Sequence, residues 1–396
     1  MPEREIITGL DIGTSKVCAI IGEVGESGQV NIIGVGTSPS HGLKKGMVVN
    51  LDKTVQAINA ATRAAERMAG TRVSSVFVGV AGGHIVSFNS SGVVAVADSE
   101  EITHRDVMRV IEAAKVVAIP TDRQIIHALP MEFIVDSCRG IKNPEGMAGK
   151  RLEVEVHIVT GRVTALQNIV KCVQRAGLEV RDLILQPLAS CTSVLTPDEQ
   201  ECGTVLIDIG GGTTDLAVFY EGSVLHTAVL PVGGDHFTHD LAYGLRIPFA
   251  EGERLKLLYS SQGDTGNELP VDKLQSILYP RGEEVFQLVE KELAKLDQSG
   301  IAPIQCVLTG GASQLRGLTD IAEEVLGLPV RIGTPRAVGG LIDIINSPAY
   351  ATGIGLVQYA AKQGLAGEET SVEGPGLLEQ IIERITRWFK DFIPTE

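Results

Sequence analysis

The chain has 396 residues, 44% of them hydrophobic and 21% charged, and a formal net charge of −15. That length exceeds what one core serves, so two or more domains are expected, and the composition is that of a soluble globular protein. The acidic balance argues against a nucleic-acid partner, because no basic stretch is available to neutralise phosphates. The N-terminus, MPEREIITGL, lacks the apolar core of a signal peptide, and no uninterrupted apolar run approaches the ~20 residues needed to span a bilayer. A cytoplasmic protein is expected. The six cysteines (Cys18, Cys138, Cys172, Cys191, Cys202 and Cys306) are scattered without a CxxC pair, and with Cys18 and Cys306 in apolar strand-like runs they read as small core residues in a reducing cytosol.

In chain order, strands are expected at 6–12, 16–23 and 30–37, with GLDIGTSK (9–16) across the first turn. A glycine-tipped turn between two apolar strands exposes backbone N–H groups that can cradle a phosphate. An amphipathic helix follows at 52–69, with Val55, Ile58, Thr62, Ala65 and Met68 at spacings of three and four, and then a strand at 73–80. The texture changes from His84 to about Thr160. Strand-like stretches at 84–97, 124–135 and 152–159 and a helix at 103–118 lie there without any phosphate loop, and read as an inserted subdomain. A helix at 163–176 and a strand at 178–185 return to the first domain, and Pro187 suits the first turn of the next helix.

The second half repeats the opening. Strands at 203–209, 214–220 and 223–230 carry LIDIGGGTTD across their first turn, and Gly233-Gly234 leads into a helix at 235–244. Residues 247–300 read as mostly helical (250–259 and 283–296) around an exposed polar loop at 260–268. A strand at 304–308 meets Gly310-Gly311, a helix at 314–326 begins just beyond, and another at 351–362 ends the globular part. The Gly-, Glu-, Ser- and Thr-rich stretch 362–376 reads as a flexible linker.

One glycine turn is a weak signal, but two, nearly half the chain apart, suggest two halves closing on one nucleotide. The phosphates of ATP would take N–H donors from Gly13 and from Gly210, Gly211 and Gly212, with the hydroxyls of Thr14, Ser15, Thr213 and Thr214. Asp11 and Asp208 would hold Mg²⁺ mostly through its waters, with Asp215 as a third carboxylate nearby. Lys16 either adds a positive charge or is an exposed strand lysine. In VLTGGASQLRGL (307–318), Gly310 and Gly311, with Ala312 and Gln314, would let backbone approach the adenosine closely. Gly233 and Gly234, the glycine turn before the helix at 235–244, are expected to contact the nucleotide as well. Glu253 and Lys256 share one helix face with Ser260; that face is either simply solvated or grips ribose and adenine from the opposite lobe.

The stretch LLEQIIERITRWFKDFI (377–393) places Leu377, Leu378, Ile381, Ile382, Ile385, Trp388, Phe389 and Phe392 on one face and charged residues on the other. It could dock on its own domain, bind a partner or lie in a membrane interface. The preceding linker and the aromatic apolar face favour the membrane. From Gly376 onward, Arg384, Arg387 and Lys390 are balanced by Glu379, Glu383, Asp391 and Glu396, so apolar insertion rather than lipid-charge attraction should dominate.

These motifs resemble the actin/heat-shock-chaperone/sugar-kinase ATPase superfamily: its two phosphate loops, its adenosine motif (TGGASQLRGL) and the nucleotide-contacting E-x-x-K-x-x-x-S helix at 253–260. The resemblance places Gln186 at the first connecting helix, where it would position the attacking water; an amide orients water but cannot serve as a carboxylate base. Within the superfamily, HALPMEFIVD…GIKNPEGMAGKRLEVEVHIVT (127–160), VRIGTPRAVGGLIDIINSPAYATGIGL (330–356) and ILYPRGEEVFQLVEKEL (277–293) are similar to the FtsA family of bacterial division proteins.

The resemblance implies an α/β, actin-like two-domain ATPase fold with an FtsA-type inserted subdomain and a C-terminal amphipathic helix. The first ATPase lobe would comprise 1–83 and 161–200 and the insertion 84–160. The second lobe would comprise 201–240 and 301–350, with a small lobe, 241–300, over the nucleotide. A connecting helix (351–362), linker (363–376) and membrane helix (377–393) would follow. It also implies a protein that polymerises, binds ATP and Mg²⁺, and anchors filaments of FtsZ by their C-terminal tails at the cytoplasmic face of the membrane at the septum. Other division proteins would dock on the insertion. The alternative is a soluble sugar or acetate kinase of the same superfamily, for which the first domain offers no clear carboxylate base. A pilus-assembly or cargo-positioning relative is disfavoured by the insertion motif.

Overall fold

The computed structural model describes residues 5–25, 28–262, 271–299 and 302–364. The membrane helix read at 377–393, its residues Leu378 to Phe392 included, and nearly all of the linker lie outside them.

The chain opens with three antiparallel strands, β1 (Glu5–Ile12), β2 (Lys16–Val24) and β3 (Val30–Pro39), with β1 and β2 in register from Glu5↔Val24 to Ile12↔Val17. A small hairpin, β4 (Leu43–Lys44) and β5 (Met47–Val48), leads to α1 (Leu51–Ala69). Asn50 caps that helix by accepting from Lys53 N, and Gly70 closes it in the left-handed region. β6 (Ser75–Val80) then joins β1 in parallel.

The insertion contributes β7 (Val86–Ala95), α2 (His104–Lys115), β8 (Arg123–Val135), β9 (Cys138–Ile141) and β10 (Arg151–Arg162). They form a sheet ordered β7-β10-β8-β9 with its own core under α2, including Val107, Ile111, Phe133 and Val154. α3 (Val163–Arg175), β11 (Glu179–Leu185), α4 (Gln186–Val194) and the short α5 (Pro197–Cys202) lead to the second half.

There β12 (Thr204–Ile209), β13 (Thr214–Tyr220) and β14 (Ser223–Leu230) repeat the opening meander. Helices α6 (Gly234–Leu245), α7 (Phe249–Gln262) and α8 (Val271–Leu293) follow, then β15 (Gln305–Thr309), α9 (Leu318–Leu326) and β16 (Val330–Ile332). β17 (Val338–Gly340), α10 (Ile342–Ile345) and α11 (Ala351–Lys362) complete the described chain.

The two large sheets share one plan. One is ordered β11-β6-β1-β2-β3-β17, the other β14-β13-β12-β15-β16. In each, two antiparallel hairpins continue into parallel strands, and the carboxyl ends of the central strands (Ile12, Ile209) point at the space between the sheets. The central strands are buried on both faces, so they read as apolar runs rather than as alternating patterns. α1 and α3 cover one face of the first sheet; α4 and α11 cover the other and cross between the lobes. α4 and α11 lie very close. A Cβ at Gly355 would stand 1.8 Å from Ala189 O, and Ser193 Oγ donates to Ala351 O at 2.8 Å.

Several expectations shift. The buried stripe of α1 is Thr54, Ala57, Ile58, Ala61, Thr62 and Ala65, and Met68 is exposed. Small residues face the sheet because β3 meets the helix with Gly34 and Gly36; a Cβ at Gly36 would be 2.0 Å from Ala61 O. α2 stops at Lys115 rather than 118, ahead of two valines and Pro120. α8 starts at Val271 instead of 283 and carries Pro280 inside it, on its exposed side, where the carbonyl left without its helix donor is open to solvent. Ser260, Ser261 and Gln262 form the last turn of α7 and not the start of the loop. The helix expected at 314–326 splits into a 3-10 turn, Gly311–Gln314, and α9, with Gly317 left-handed between them.

Candidate functional site

A cleft of about 450 Å³ lies between the lobes, where the carboxyl ends of β1, β12 and β15 converge. Its floor is the two glycine turns. Gly13 N donates to Lys16 O at 3.0 Å, and Gly210 N to Thr213 O at 2.9 Å, closing each hairpin tip. The loops touch. A Cβ at Gly211 would lie 1.7 Å from Ser15 Oγ, and one at Gly212 2.6 Å from Thr14 Oγ1, so both positions accept only glycine while the lobes stand this close. Ser15 Oγ donates to Asp235 Oδ1, across the cleft, at 3.0 Å.

Three carboxylates lie behind the loops. Asp11 is half-buried at the end of β1, and Gln186 Nε2, at the start of α4, donates to its Oδ1 at 2.9 Å. Loss of solvation raises Asp11 to about 6, against the pull of Lys16 and with a further push from Asp208. Asp208 is buried, accepting from Ser190 Oγ at 2.6 Å and Thr352 Oγ1 at 3.0 Å; burial raises it, and those two hydroxyls oppose the rise. Burial, and then the charge of Asp208, hold Asp215 well above the usual carboxylate range. Thr213 Oγ1 donates to its Oδ2 at 3.2 Å, while its Oδ1 is buried with no partner among the described residues. Such a wall is short of positive charge. Among the described residues, no group of three or more His, Cys, Asp or Glu converges closely enough to ligate a metal directly.

Lys16 lines the cleft, where its charge pulls on Asp11 and Asp208, and is not a freely exposed strand lysine. Its Nζ donates to Ala349 O at 2.5 Å and lies 4.5 Å from the Tyr350 ring centroid, on the far wall. On the opposite side, Lys256 is buried, donating to Gly234 O at 3.0 Å and Thr238 Oγ1 at 2.8 Å, and pairs with Glu253 at 2.7 Å. Thr238 also donates to Glu253. Gly234, Glu253, Lys256, Ser260, Gly310, Gly311, Ala312 and Gln314 all line the cleft.

Two residues expected at the site do not line it, and the pleat gives the reason. Thr214 is the first residue of β13, and its Oγ1 donates to Val232 O at 2.9 Å, away from the cleft, while its neighbour Thr213 faces in. Gly233 lies beneath the second loop, where a Cβ would stand 2.7 Å from Gly210 O, 2.8 Å from Gly211 O and 2.9 Å from Thr213 O. Asp235, Ser190, Pro348, Ala349 and Thr352 belong to the site and are not singled out by the sequence, although 348–352 falls inside one of the family-like stretches.

The insertion packs its sheet against β14, far from the loops. Ser87 Oγ donates to Thr227 O at 2.7 Å, and His157 is buried between Asn89 Oδ1 (2.6 Å) and Thr227 Oγ1 (2.9 Å). Among the described residues no helix is long and apolar enough to cross a membrane.

The fold is shared with solved structures. The protein of a PilM-PilN type IV pilus biogenesis complex matches with a TM-score of 0.68 at 20% identity, over 90% of this chain and 98% of that one. MreB5 of Spiroplasma citri, solved bound to ADP, matches at 0.53 and 14%, over 93% and 100%. At such identities the likeness shows the fold alone, and it bears out the α/β, actin-like two-lobed architecture expected from the sequence. The family model described as the SHS2 domain inserted in FTSA matches residues 82–160, and that described as cell division protein FtsA matches 205–355. The cell division protein FtsA of Pseudomonas aeruginosa is 46% identical over 406 aligned positions, covering 97% of each chain. With the insertion, residues 205–355 and, in the Pseudomonas aeruginosa relative, nearly the full length matched, this chain belongs to the FtsA family of bacterial cell division proteins.

Proposed function

We propose that this protein binds ATP with Mg²⁺ between its lobes, polymerises, and lies on the cytoplasmic face of the cell membrane at the division septum. There its C-terminal helix inserts and its filaments anchor FtsZ by the FtsZ C-terminal tail. The observation that carries the reading is the convergence of both phosphate loops, three carboxylates and the Gly310-Gly311 turn in one cleft. The residues fit the cofactor: the orphaned Asp215 Oδ1 and the raised Asp11 and Asp208 lack a cation. With no direct ligand cluster among the described residues, Asp11 and Asp208 would hold Mg²⁺ through its waters.

In this reading, backbone N–H groups at Gly13–Ser15 and Gly210–Thr213 receive the phosphates, with the hydroxyls of Thr14, Ser15 and Thr213. Gln186 orients water beside Asp11. Glu253 and Lys256 face the ribose and adenine across from Gly310, Gly311, Ala312 and Gln314. The domain division read from the sequence is part of the proposal, with the small lobe 241–300 receiving the FtsZ tail and the insertion receiving other division proteins. The loops govern how the two lobes sit, and so set the subunit shape that a filament repeats. Each membrane helix binds weakly, and many copies on one filament attach it firmly.

Electron microscopy of the full chain on a lipid monolayer tests this: filaments with ATP and none without are expected. Deleting 377–396 should release the protein from vesicles with ATP affinity intact. Unchanged co-sedimentation with lipid after that deletion overturns the membrane reading.

A further inference from the structure

Three arginines cluster at the end of α1. Arg63 and Arg67 are one helical turn apart, and Arg72 follows the left-handed Gly70; all three are exposed and line one concavity with Glu66, Gly70 and Thr71. None of the three has an ion-pair or hydrogen-bond partner among the described residues. Glu66, the one acid lining the concavity, is turned inward, where its Oε1 accepts from Val73 N at 2.8 Å. Met68, 48% exposed, stands on the same turn. In a chain of net charge −15, three such guanidiniums, with an exposed thioether on the same helical turn, form a surface suited to an anionic, partly apolar partner.

The fold says where this surface points. The hairpin loop before α1 is at the cleft, where Gly46 N donates to Thr14 Oγ1 at 3.2 Å. The 19-residue helix then runs away from it for ~28 Å, ending against Gly34 of β3. α11 runs the same way on the other face of the sheet, from Thr352 in the cleft wall past Val357, which packs on Gly22. The arginine cluster and the end of the described chain at Gly364 therefore share the edge of the first lobe farthest from the cleft. Glu5, Glu23 and Glu179 lie at strand ends along that edge, which confines the positive charge to the α1 side. The twelve residues from 365 to 376 reach at most ~40 Å, so a helix at 377–393 lying in a bilayer keeps this edge close to the same surface.

We propose that Arg63, Arg67 and Arg72 face an anionic lipid surface and supply the head-group attraction that the charge-balanced C-terminal helix lacks. The proposal rests on the membrane reading above. Guanidiniums bind phosphate oxygens in bidentate fashion, and Met68 adds apolar contact at the head-group level.

The test is flotation of the full chain with vesicles of neutral phosphatidylcholine, and of the same lipid with a third phosphatidylglycerol, at low and high salt. The expected result is binding to both, tighter on the anionic vesicles and weakened there by salt. R63Q/R67Q/R72Q should lose the anionic preference, on the order of 10- to 100-fold in partitioning, while keeping its binding to neutral vesicles, its melting temperature and its ATP affinity. An undiminished anionic preference in that variant overturns the proposal and leaves the membrane reading standing. So does an unchanged preference accompanied by lost binding to poly-glutamate, which assigns the arginines to an acidic protein. Failure of the unmodified full chain to float with either vesicle overturns the membrane reading and this inference together.

Discussion

Ser15 and Asp235, one on the first glycine loop and one at the start of α6, form a hydrogen bond of 3.0 Å that joins the two lobes across the cleft. With Gly211 and Gly212 packed on the Ser15 and Thr14 side chains, it makes the two loops a single contact surface. Ser15→Ala removes the bond without adding bulk. Nucleotide release, followed by stopped-flow with a fluorescent ATP analogue, should accelerate several-fold, and the melting temperature without nucleotide should fall by the equivalent of about 1 kcal/mol.

Gly211→Ala acts oppositely in shape: its methyl group would meet Ser15 Oγ and prop the lobes apart. Nucleotide affinity by calorimetry should fall at least about tenfold, and G211A combined with S15G should recover part of it, because the clash is then gone.

The raised value of Asp11 has a stability consequence. Its folded value of about 6 stands above the ordinary 3.8, so the ionised form is disfavoured by folding. That cost is absent below 3.8, grows as pH rises, and is complete above about 6. Asp11→Asn should stabilise the nucleotide-free protein at pH 8 by up to about 3 kcal/mol, with little effect at pH 3.5. It should also abolish the Mg²⁺ dependence of ATP binding. Denaturant melts at the two pH values and calorimetry with and without Mg²⁺ check both halves.

His157 anchors the insertion to β14 as a neutral ring. Burial, and then the neighbouring His226, depress it from 6.5 to about 3. Around it stand Asn89 and Thr227, with the His226 ring centroid at 6.4 Å and His226 paired to Glu292. Its contribution is complete above pH 6.5 and is lost progressively as pH falls toward 3. Hydrogen exchange in β10 and β14 should therefore quicken between pH 6.5 and 4.5, after correction for intrinsic rates. His157→Asn should flatten that dependence.

The contact between α4 and α11 has no slack at Gly355, where an added methyl meets the Ala189 carbonyl at 1.8 Å. Gly355→Ala should cost at least about 2 kcal/mol in a denaturant melt, since backbone on both sides must move. Gly364→Ala is the control: space there is open, and only its left-handed φ of 58° opposes the substitution.

Local chemistry alone is enough to read the doubled meander, both glycine loops, the connecting helices and the inserted subdomain. Strand runs, turn residues and helical spacing act within a few positions of one another, and the two halves repeat them. Other features turn on which face meets which neighbour, and these emerge only in the folded molecule. Thr213 and Thr214 are chemically equal in the sequence, and the pairing of β13 turns one into the cleft and the other to Val232. The buried stripe of α1 avoids Met68 because glycines on β3 draw small side chains to the interface. Lys16 turns to Ala349, which lies 333 positions away, and Asp208 is held by Ser190 and Thr352 from two different helices. No local pattern encodes such pairs; close packing of two lobes around the crossing helices brings them together.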